Sequence, residues 1–427
     1  MTVAEQAAGT PAVDDRAPVH TRALIIGSGF SGLGMGIELQ RRGVEFLILE
    51  KADEIGGTWR DNTYPGCACD IPSHMYSFSF EPKPDWTHMW SFQPEIQNYL
   101  LGVTEKYGLR RYIRFGAHVD RAQWDDDEKR WHVFTDDGGE FIAQFLISGA
   151  GGLHIPLIPE FEGLDDYLAA GGAAFHSAQW DHGVDITGKR VAVIGTGASA
   201  IQIVPEIVKD VAGLQLYQRT PAWVMPRPNN PIPEGMQRVF ANVPGTRAAM
   251  RAGIYWIHEA VGFAMTKQPR LLKLGELMGK WNIRRSIKDR ELRRKLTPDY
   301  RAGCKRILNS DTYYRGIADP KTEVITDRIV AGLENGVRPW MQPWQSSNAI
   351  GGVTRPLRHN GLPYSGMNVL LLWTEAMARG FSNPMWMTFK QALELGGAVR
   401  KGETGSMVVF ASRFTKTETD SAGGEFD

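Results

Sequence analysis

The chain is 427 residues long, which at roughly 150 residues per domain allows about three domains. Hydrophobic residues make up 42% and charged residues 22%, a globular composition that excludes a disordered chain and a coiled coil. Lysine plus arginine number 48, as do aspartate plus glutamate, so no whole-chain charge indicates a nucleic acid or membrane partner. With three cysteines, no zinc-type spacing and no apolar run long enough for a bilayer, we expect a soluble, cytoplasmic protein without a disulfide framework or metal site.

Alternating apolar and glycine-rich segments predict two dinucleotide-type βαβ units. Residues 1–20 are rich in Ala, Pro and Asp and are expected to form a disordered lead. A strand is expected at residues 23–26, a helix through Leu39 and a second strand at 46–49, and the same order restarts at Arg190. Between the two units, Asp136-Asp137-Gly138-Gly139 separates two apolar runs and predicts a β-hairpin.

The first glycine motif, GxGxxG, consists of Gly27, Gly29 and Gly32 between the first strand and the helix. The first glycine allows a tight turn, the second lets the backbone approach a pyrophosphate, and the third permits close helix–strand packing. Glu50 follows the second strand, where a carboxylate can accept hydrogen bonds from ribose hydroxyls. The alternative is an unrelated glycine-rich turn, but the combination of strand, glycines, helix, strand and acid favours a dinucleotide site.

The second motif has a cation where the first has an acid. Gly195, Thr196, Gly197 and Ser199 belong to a GxGxxA loop, and Arg219-Thr220 follows the next strand. A carboxylate would repel a ribose 2′-phosphate, whereas arginine can bind it with two hydrogen bonds. Unless Arg219 is simply solvated at a strand end, this is an NADPH site. One acidic and one basic nucleotide site together indicate a flavin enzyme that is reduced by NADPH.

Three further segments resemble Baeyer–Villiger monooxygenases, which contain flavin. Gly56-Gly57-Thr58-Trp59 and residues 64–70 resemble the flavin-proximal loops, and residues 172–181 resemble the second half of the fingerprint FxGxxxHxxxW(P/D). The fingerprint aromatic would fall on Ala170, so either Tyr167 supplies the aromatic or the loop is slightly remodelled. The resemblance covers residues 21–325 and implies FAD and NADPH as cofactors.

The resemblance also implies roles for individual residues. Arg306 matches the catalytic arginine near the flavin, Asp70 the carboxylate beside it, and Lys305 a contact to the NADPH 2′-phosphate. A fixed guanidinium stabilises developing negative charge in a water-excluded site. The remaining matched positions are Gly57, Thr58 and Trp59 for FAD, and Gly172, His176 and Trp180 for the fingerprint. From the residues alone, Asp70 and Arg306 could instead be an ordinary interdomain ion pair, and His176 a packing residue.

The implied reaction inserts one oxygen atom of O2 into a ketone through a C4a-peroxyflavin and gives an ester or lactone. The motifs do not name the ketone, and they do not separate Baeyer–Villiger oxidation from N- or S-oxygenation.

The chain changes character near residue 326. From Arg328 to Lys416 there are ten lysines and arginines against four acids, with four tryptophans. This part resembles the N-terminal single-stranded-DNA-binding domain of ArdC-type antirestriction proteins, without the metallopeptidase-like domain that usually follows it. The resemblance implies DNA contacts by cations, and the candidates are Arg338, Lys390, Arg400 and Lys401. The alternative is that the tryptophans are core residues of a small domain.

We therefore expect an α/β fold with two Rossmann-like domains and a small α+β C-terminal domain. The expected ranges are 21–153 for the FAD domain, 154–325 for the NADPH domain with a helical insertion at 245–300, 326–418 for the antirestriction-type domain, and 419–427 for a tail. No segment resembles the strand that closes the FAD domain in such monooxygenases, so a fusion of two truncated partners is our hypothesis. The alternative function is an inactive or uncoupled flavoprotein relic whose C-terminal domain binds single-stranded DNA.

Overall fold

The computed structural model describes residues 17–152, 155–158 and 163–326, and beyond them residues 357–358, 372, 385–387, 391–392, 418–419 and 425–426. The chain divides into two compact units, residues 1–339 and 340–427. No helix among the described residues combines the length and apolarity that a membrane crossing requires.

The first half of unit 1 is built on a six-stranded sheet in the order β3-β2-β1-β6-β5-β4. Strands β3, β2, β1 and β6 run parallel, and β6, β5 and β4 are antiparallel. The elements are β1 (Val19–Ile26), α1 (Phe30–Arg41), β2 (Phe46–Leu49), α2 (Thr58–Asp61), α3 (Gln93–Lys106), β3 (Ile113–Arg114), β4 (Val119–Asp125), β5 (Arg130–Thr135) and β6 (Glu140–Ser148). The predicted hairpin is confirmed, because β5 pairs with β6 across residues 136–139.

Strand β1 begins at Val19, earlier than the predicted start at Ala23. The pairing with β6 extends to Val19, opposite Phe141, so sheet hydrogen bonds order residues that show no apolar period of their own. Residues 19 and 20 thus belong to the sheet and not to the lead. The centre of β1 is fully buried at Leu24 and Ile25, as expected for a parallel strand covered on both faces.

The second half of unit 1 is a smaller parallel sheet in the order β11-β8-β7, and most of its helices lie between β8 and β11 in the chain. The elements are α4 (Leu164–Ala169), β7 (Arg190–Ile194), α5 (Ala200–Ile207), β8 (Gly213–Tyr217), β9 (Val224–Met225), α6 (Glu234–Asn242), α7 (Thr246–Thr266), α8 (Leu272–Ser286), α9 (Arg290–Leu296), β10 (Leu308–Asn309), α10 (Tyr313–Ile317) and β11 (Thr322–Ile325). The second βαβ unit is therefore confirmed, and the segment predicted as a helical insertion contains α7, α8 and α9.

In unit 2 the described strands form two pairs. Strand β12 (Leu357–Arg358) lies parallel to β13 (Met385–Trp386), and β14 (Glu418–Thr419) lies antiparallel to β15 (Glu425–Phe426). The four candidate DNA contacts, Arg338, Lys390, Arg400 and Lys401, lie outside the described residues.

Candidate functional site

Glycine backbones meet at the carboxyl end of β1. Gly27 has a φ of +93°, and a Cβ there would lie 2.7 Å from the carbonyl oxygen of Gly149, just after β6. A Cβ on Gly32 would overlap the carbonyl oxygen of Gly27. By contrast, a Cβ on Gly29 would meet only the carbonyl oxygen of Gly56, at 4.0 Å. Two of the three glycines thus serve packing, and the third faces open space that a ligand can fill.

Helix α1 begins beside that open space. Its N-cap is Gly29, no side chain caps it, and its first turn holds no acid, so backbone N–H groups are available to an anion. Gly57 faces Gly29, with 3.5 Å between its Cβ position and the Gly29 Cα. Thr58 is exposed on this loop, whereas Trp59 is buried and donates its indole N–H to the Tyr76 hydroxyl at 3.0 Å. A glycine-lined cradle of this kind fits a dinucleotide pyrophosphate.

Glu50 lies at the end of β2, beside the first glycine loop. Its Oε2 accepts hydrogen bonds from the Ser28 N–H at 2.9 Å and the Ser28 hydroxyl at 2.6 Å. Its Oε1 accepts from the Ala52 N–H at 3.1 Å and the Arg60 guanidinium at 3.0 Å. Burial opposes ionisation, but the hydrogen bonds and the Arg60 charge outweigh it and lower the pKa of Glu50. Sequence reasoning identified Glu50 but not Ser28 or Arg60, since neither occupies a motif position.

The second glycine loop is open in the same way. Gly195 has a φ of +100°, and no described atom lies within 4 Å of a Cβ built on Gly195 or Gly197. Ser199, the N-cap of α5, makes no side-chain capping bond. The Thr196 hydroxyl donates to the carbonyl oxygen of Thr220 at 3.3 Å, which ties the loop to the end of β8 beside the exposed Arg219. The arrangement fits a second dinucleotide with its 2′-phosphate near Arg219.

Asp70 and Arg306 meet, although 236 positions separate them in the chain. The Arg306 Nη2 donates to the Asp70 Oδ2 at 2.5 Å. The Arg306 side chain is 61% exposed, so this guanidinium lies in water and not in the water-excluded site that the resemblance implies. Next to it, the Lys305 ammonium lies 4.7 Å from the centre of the Tyr300 ring and is exposed.

The loop that carries Asp70 is clamped by Gln202 of α5. The Gln202 Oε1 accepts from the Tyr64 hydroxyl at 3.0 Å and from the Ala68 N–H at 3.2 Å, and its Nε2 donates to the Ala68 carbonyl at 2.9 Å. A helix of the second βαβ unit therefore fixes a loop of the first. Gln202 was missed from the sequence, and the available signal was one amide flanked by isoleucines in the helix.

A second guanidinium, that of Arg227, also contacts this loop. It donates to the Cys69 carbonyl at 3.1 Å, and its backbone N–H donates to Asp311 at 2.8 Å. Burial lowers the pKa of Arg227, an effect that the charge of Asp70 partly opposes. Arg227 was also missed, because no motif marks it.

The fingerprint segment makes mostly local contacts. A Cβ on Gly172 would overlap the Tyr167 ring, so Tyr167 covers this glycine where Ala170 cannot. The His176 Nδ1 accepts from the Ala178 N–H at 3.1 Å, and the rings of Phe175 and Trp180 pack edge to face at 5.1 Å. These contacts agree with a packing role for His176.

The buried cysteines are not placed for chemistry. Burial raises the pKa of Cys67 to about 11 and that of Cys69 to about 12, so both thiols stay protonated at neutral pH. Across the described ranges, no three His, Cys, Asp or Glu residues are grouped so that they could hold a metal ion.

Two family models match this chain. Residues 20–237 match the model described as flavin-binding monooxygenase-like. Residues 320–426 match the model described as the N-terminal domain of anti-restriction factor ArdC.

Curated relatives cover about three quarters of the chain. A Baeyer–Villiger monooxygenase of Pseudomonas aeruginosa is 48% identical over 319 residues, which are 74% of this chain and 60% of the relative. A Baeyer–Villiger monooxygenase of Streptomyces coelicolor is 49% identical over 312 residues, which are 73% of this chain and 59% of the relative. The chain thus spans about three fifths of the length of these relatives.

Solved structures match the same region. Cyclohexanone monooxygenase from Rhodococcus sp. Phi1 bound to NADP+ has a TM-score of 0.64 and 29% identity, and covers 73% of this chain and 65% of its own. An oxidized steroid monooxygenase bound to NADP has a TM-score of 0.63 and 30% identity. The match covers 73% of this chain and 66% of the steroid monooxygenase chain.

Proposed function

The chain belongs to the flavin-binding monooxygenase-like family, and from this premise we propose that residues 21–325 form an FAD- and NADPH-dependent monooxygenase of Baeyer–Villiger type. The reaction consumes a ketone, O2, NADPH and a proton, and yields an ester or lactone, NADP+ and water. The observation that carries the proposal is the Asp70–Arg306 contact in a chain with two open glycine loops.

FAD is held by the first loop. Gly27, Gly29 and Gly32 with the facing Gly57 form the pyrophosphate cradle, and Glu50 accepts the ribose hydroxyls once the Ser28 hydroxyl turns away from it. The exposed Thr58 borders the same cradle. The buried Trp59 anchors this loop through its hydrogen bond to the Tyr76 hydroxyl. When bound, FAD supplies the electron storage and oxygen activation that the reaction needs.

NADPH is held by the second loop. The backbone of the second loop, which contains Gly195, Gly197 and Ser199, binds its pyrophosphate, because no Cβ atom blocks the approach at either glycine. Arg219 and Thr220, together with Lys305, bind the 2′-phosphate, because exposed cations at a strand end can meet it without burying charge.

Arg306 stabilises the negative charge that develops as oxygen is transferred, and Asp70 orients its guanidinium. Gln202 is a positioning residue, since it holds the backbone of the Asp70 loop against α5. The exposure of Arg306 means that a domain closure or a substrate must exclude water before this stabilisation reaches full strength.

The test compares Arg306→Ala with wild-type protein under two conditions. Anaerobic bleaching of the flavin by NADPH should change by less than about threefold, whereas aerobic ketone oxygenation should fall by about a hundredfold or more. Arg315→Ala, which removes an exposed arginine from α10, is the matched control and should retain both activities. Normal oxygenation by Arg306→Ala contradicts the proposal.

A second function is favoured by the match of residues 320–426 to the ArdC N-terminal model and by the excess of cations there. The alternative that we propose to the first function is that this part binds single-stranded DNA and that the flavin part is an inactive or uncoupled relic in the same chain. Fluorescence anisotropy with an oligo-dT probe should show binding that weakens steeply with salt. Replacing the candidates Arg338, Lys390, Arg400 and Lys401 with glutamine should weaken binding by at least about tenfold. Equal affinity of the quadruple variant counts against these contacts.

A further inference from the structure

An open cavity of about 330 Å³ lies on the helical part of unit 1. The side chains that line it come from α8, α9 and the residue after α9: Lys280, Ile283, Arg284, Arg290, Arg293, Arg294 and Thr297. Five of these seven residues are cationic, and no carboxylate is among them. None of the residues assigned above to FAD, NADPH or oxygen transfer lines this cavity.

The nearby carboxylates are engaged elsewhere. Asp289 caps α9 by accepting from the Leu292 N–H at 2.6 Å, and Glu291 lies 3.8 Å from the Lys295 ammonium. Asp311 pairs with Arg285 at 2.8 Å. Within the described part of the chain, the five cations of the cavity form no ion pair with a carboxylate, so no direct salt bridge neutralises them.

The backbone beneath these cations is firmly packed. Ile283, Ile287 and Leu296 are each at most 2% exposed and belong to the main hydrophobic core. The Arg293 guanidinium is further held by the carbonyl oxygens of Asp289 and Lys288, both at 3.3 Å. Helices α8 and α9 therefore cannot move apart freely, and like charges are kept facing one cavity.

Like charges held this close repel one another, and a bound anion relieves the repulsion. Arginine is the side chain best matched to phosphate, because its planar guanidinium can donate two parallel hydrogen bonds. The Thr297 hydroxyl already donates its proton to the Arg293 carbonyl at 2.7 Å. The hydrogen bonds to an anion in this cavity therefore come from the cationic side chains. Five cations around a cavity of this size match a ligand with more than one phosphate group.

We infer that the cavity between α8 and α9 binds a small molecule that carries two or three phosphate groups, at a site separate from the NADPH loop. The inference does not depend on the proposed oxygenation. It rests on the lining charges, their lack of carboxylate partners and the packed backbone that holds them.

Calorimetric titration of the full chain with tripolyphosphate tests the inference. Arg290→Gln/Arg294→Gln should weaken binding by at least about tenfold, since both substitutions remove charge-assisted hydrogen bonds to phosphate. Arg270→Gln/Lys273→Gln removes the same charge from neighbouring positions outside the cavity and should stay within about twofold of wild type. Equal losses in both double variants, or no binding by the wild type, would overturn the inference.

Arg219→Ala locates the anion. Binding of tripolyphosphate should persist in this variant, because Arg219 does not line the cavity. Loss of binding in Arg219→Ala, with retention in Arg290→Gln/Arg294→Gln, would place the anion at the second glycine loop and overturn the inference.

A measurement on wild-type protein tests the inference even if the double variant does not fold. Phenylglyoxal modification followed by peptide mass spectrometry should show that tripolyphosphate protects Arg290 and Arg294, whereas the exposed Arg238 on α6 stays reactive. Equal protection of all three arginines would overturn the inference. Vesicles containing phosphatidic acid test the other source of phosphate, and binding to vesicles without binding to tripolyphosphate would contradict a small-molecule ligand.

Discussion

Glu50 is a buried carboxylate whose charge is held by Ser28, Ala52 and Arg60. Its folded-state pKa is lowered, so its stabilisation is fully present above the unfolded pKa of about 4.5 and is lost as the pH falls through the folded value. We expect Glu50→Gln to lower the free energy of unfolding by about 1–3 kcal/mol at neutral pH, with a difference that shrinks below about pH 4.

Urea unfolding of apoprotein at neutral and acidic pH measures this difference. Glu45→Gln, which changes an exposed carboxylate just before β2, should have little effect at either pH. A loss that is the same at both pH values would mean that the Glu50 charge does not provide the stabilisation.

Arg219 decides the nicotinamide cofactor in our interpretation. Arg219→Ala should raise the KM for NADPH by about 10–100-fold, because a charge-assisted hydrogen bond to phosphate contributes about 1.5–3 kcal/mol, and should leave the KM for NADH nearly unchanged. Steady-state NADPH and NADH oxidation measures both constants. An unchanged preference for NADPH would show that the 2′-phosphate binds elsewhere.

Helix α1 must approach β1 closely for the first glycine loop to form. Gly32→Ala would place a methyl group on the Gly27 carbonyl oxygen, so we expect a loss of several kcal/mol in stability and of bound flavin. Gly102→Ala is the matched control, because Gly102 lies inside α3 with open space around its Cβ position. It should raise stability by about 0.5–1 kcal/mol. Thermal melts and flavin content of the two variants measure the contrast, and equal effects would refute this role of Gly32.

Both βαβ units and the β5–β6 hairpin were predicted from the sequence, because glycine loops, apolar runs and turn residues are local signals. The start of β1 was not, since the extra residues are ordered by pairing with a strand more than one hundred positions away. Likewise, the clamp of Gln202 on the Asp70 loop depends on two segments that meet only in three dimensions. The exposure of Arg306 could not be predicted either, because solvent access is a property of packing.

Across the whole molecule, similarity to monooxygenases covers about three quarters of this chain but about three fifths of the relatives. The match to the ArdC N-terminal model begins at residue 320. The resemblance predicted for each part of the chain is thereby confirmed.

This organisation predicts weak flavin retention and uncoupled turnover. Because the match spans only about three fifths of the relatives, we expect water to reach the flavin site and electrons from NADPH to leave as hydrogen peroxide before a ketone is oxygenated. Peroxide and ester formed per NADPH should be measured beside the Pseudomonas aeruginosa relative. We expect peroxide to account for most of the NADPH here and ester to account for most of it in the relative. An ester yield close to one per NADPH would contradict this prediction.

The sequence by itself determined the two nucleotide loops, the acid and the cation that distinguish them, and the change of family near residue 326. These features are local, because a turn that needs glycine or a charge at a strand end is written within a few residues. The resemblance already implied that Asp70 lies beside Arg306, whereas only the tertiary structure decided that Gln202 holds the Asp70 loop and that five cations of α8 and α9 share one cavity. Such contacts join distant residues or neighbouring helices, and their geometry is set by the packing of the whole core.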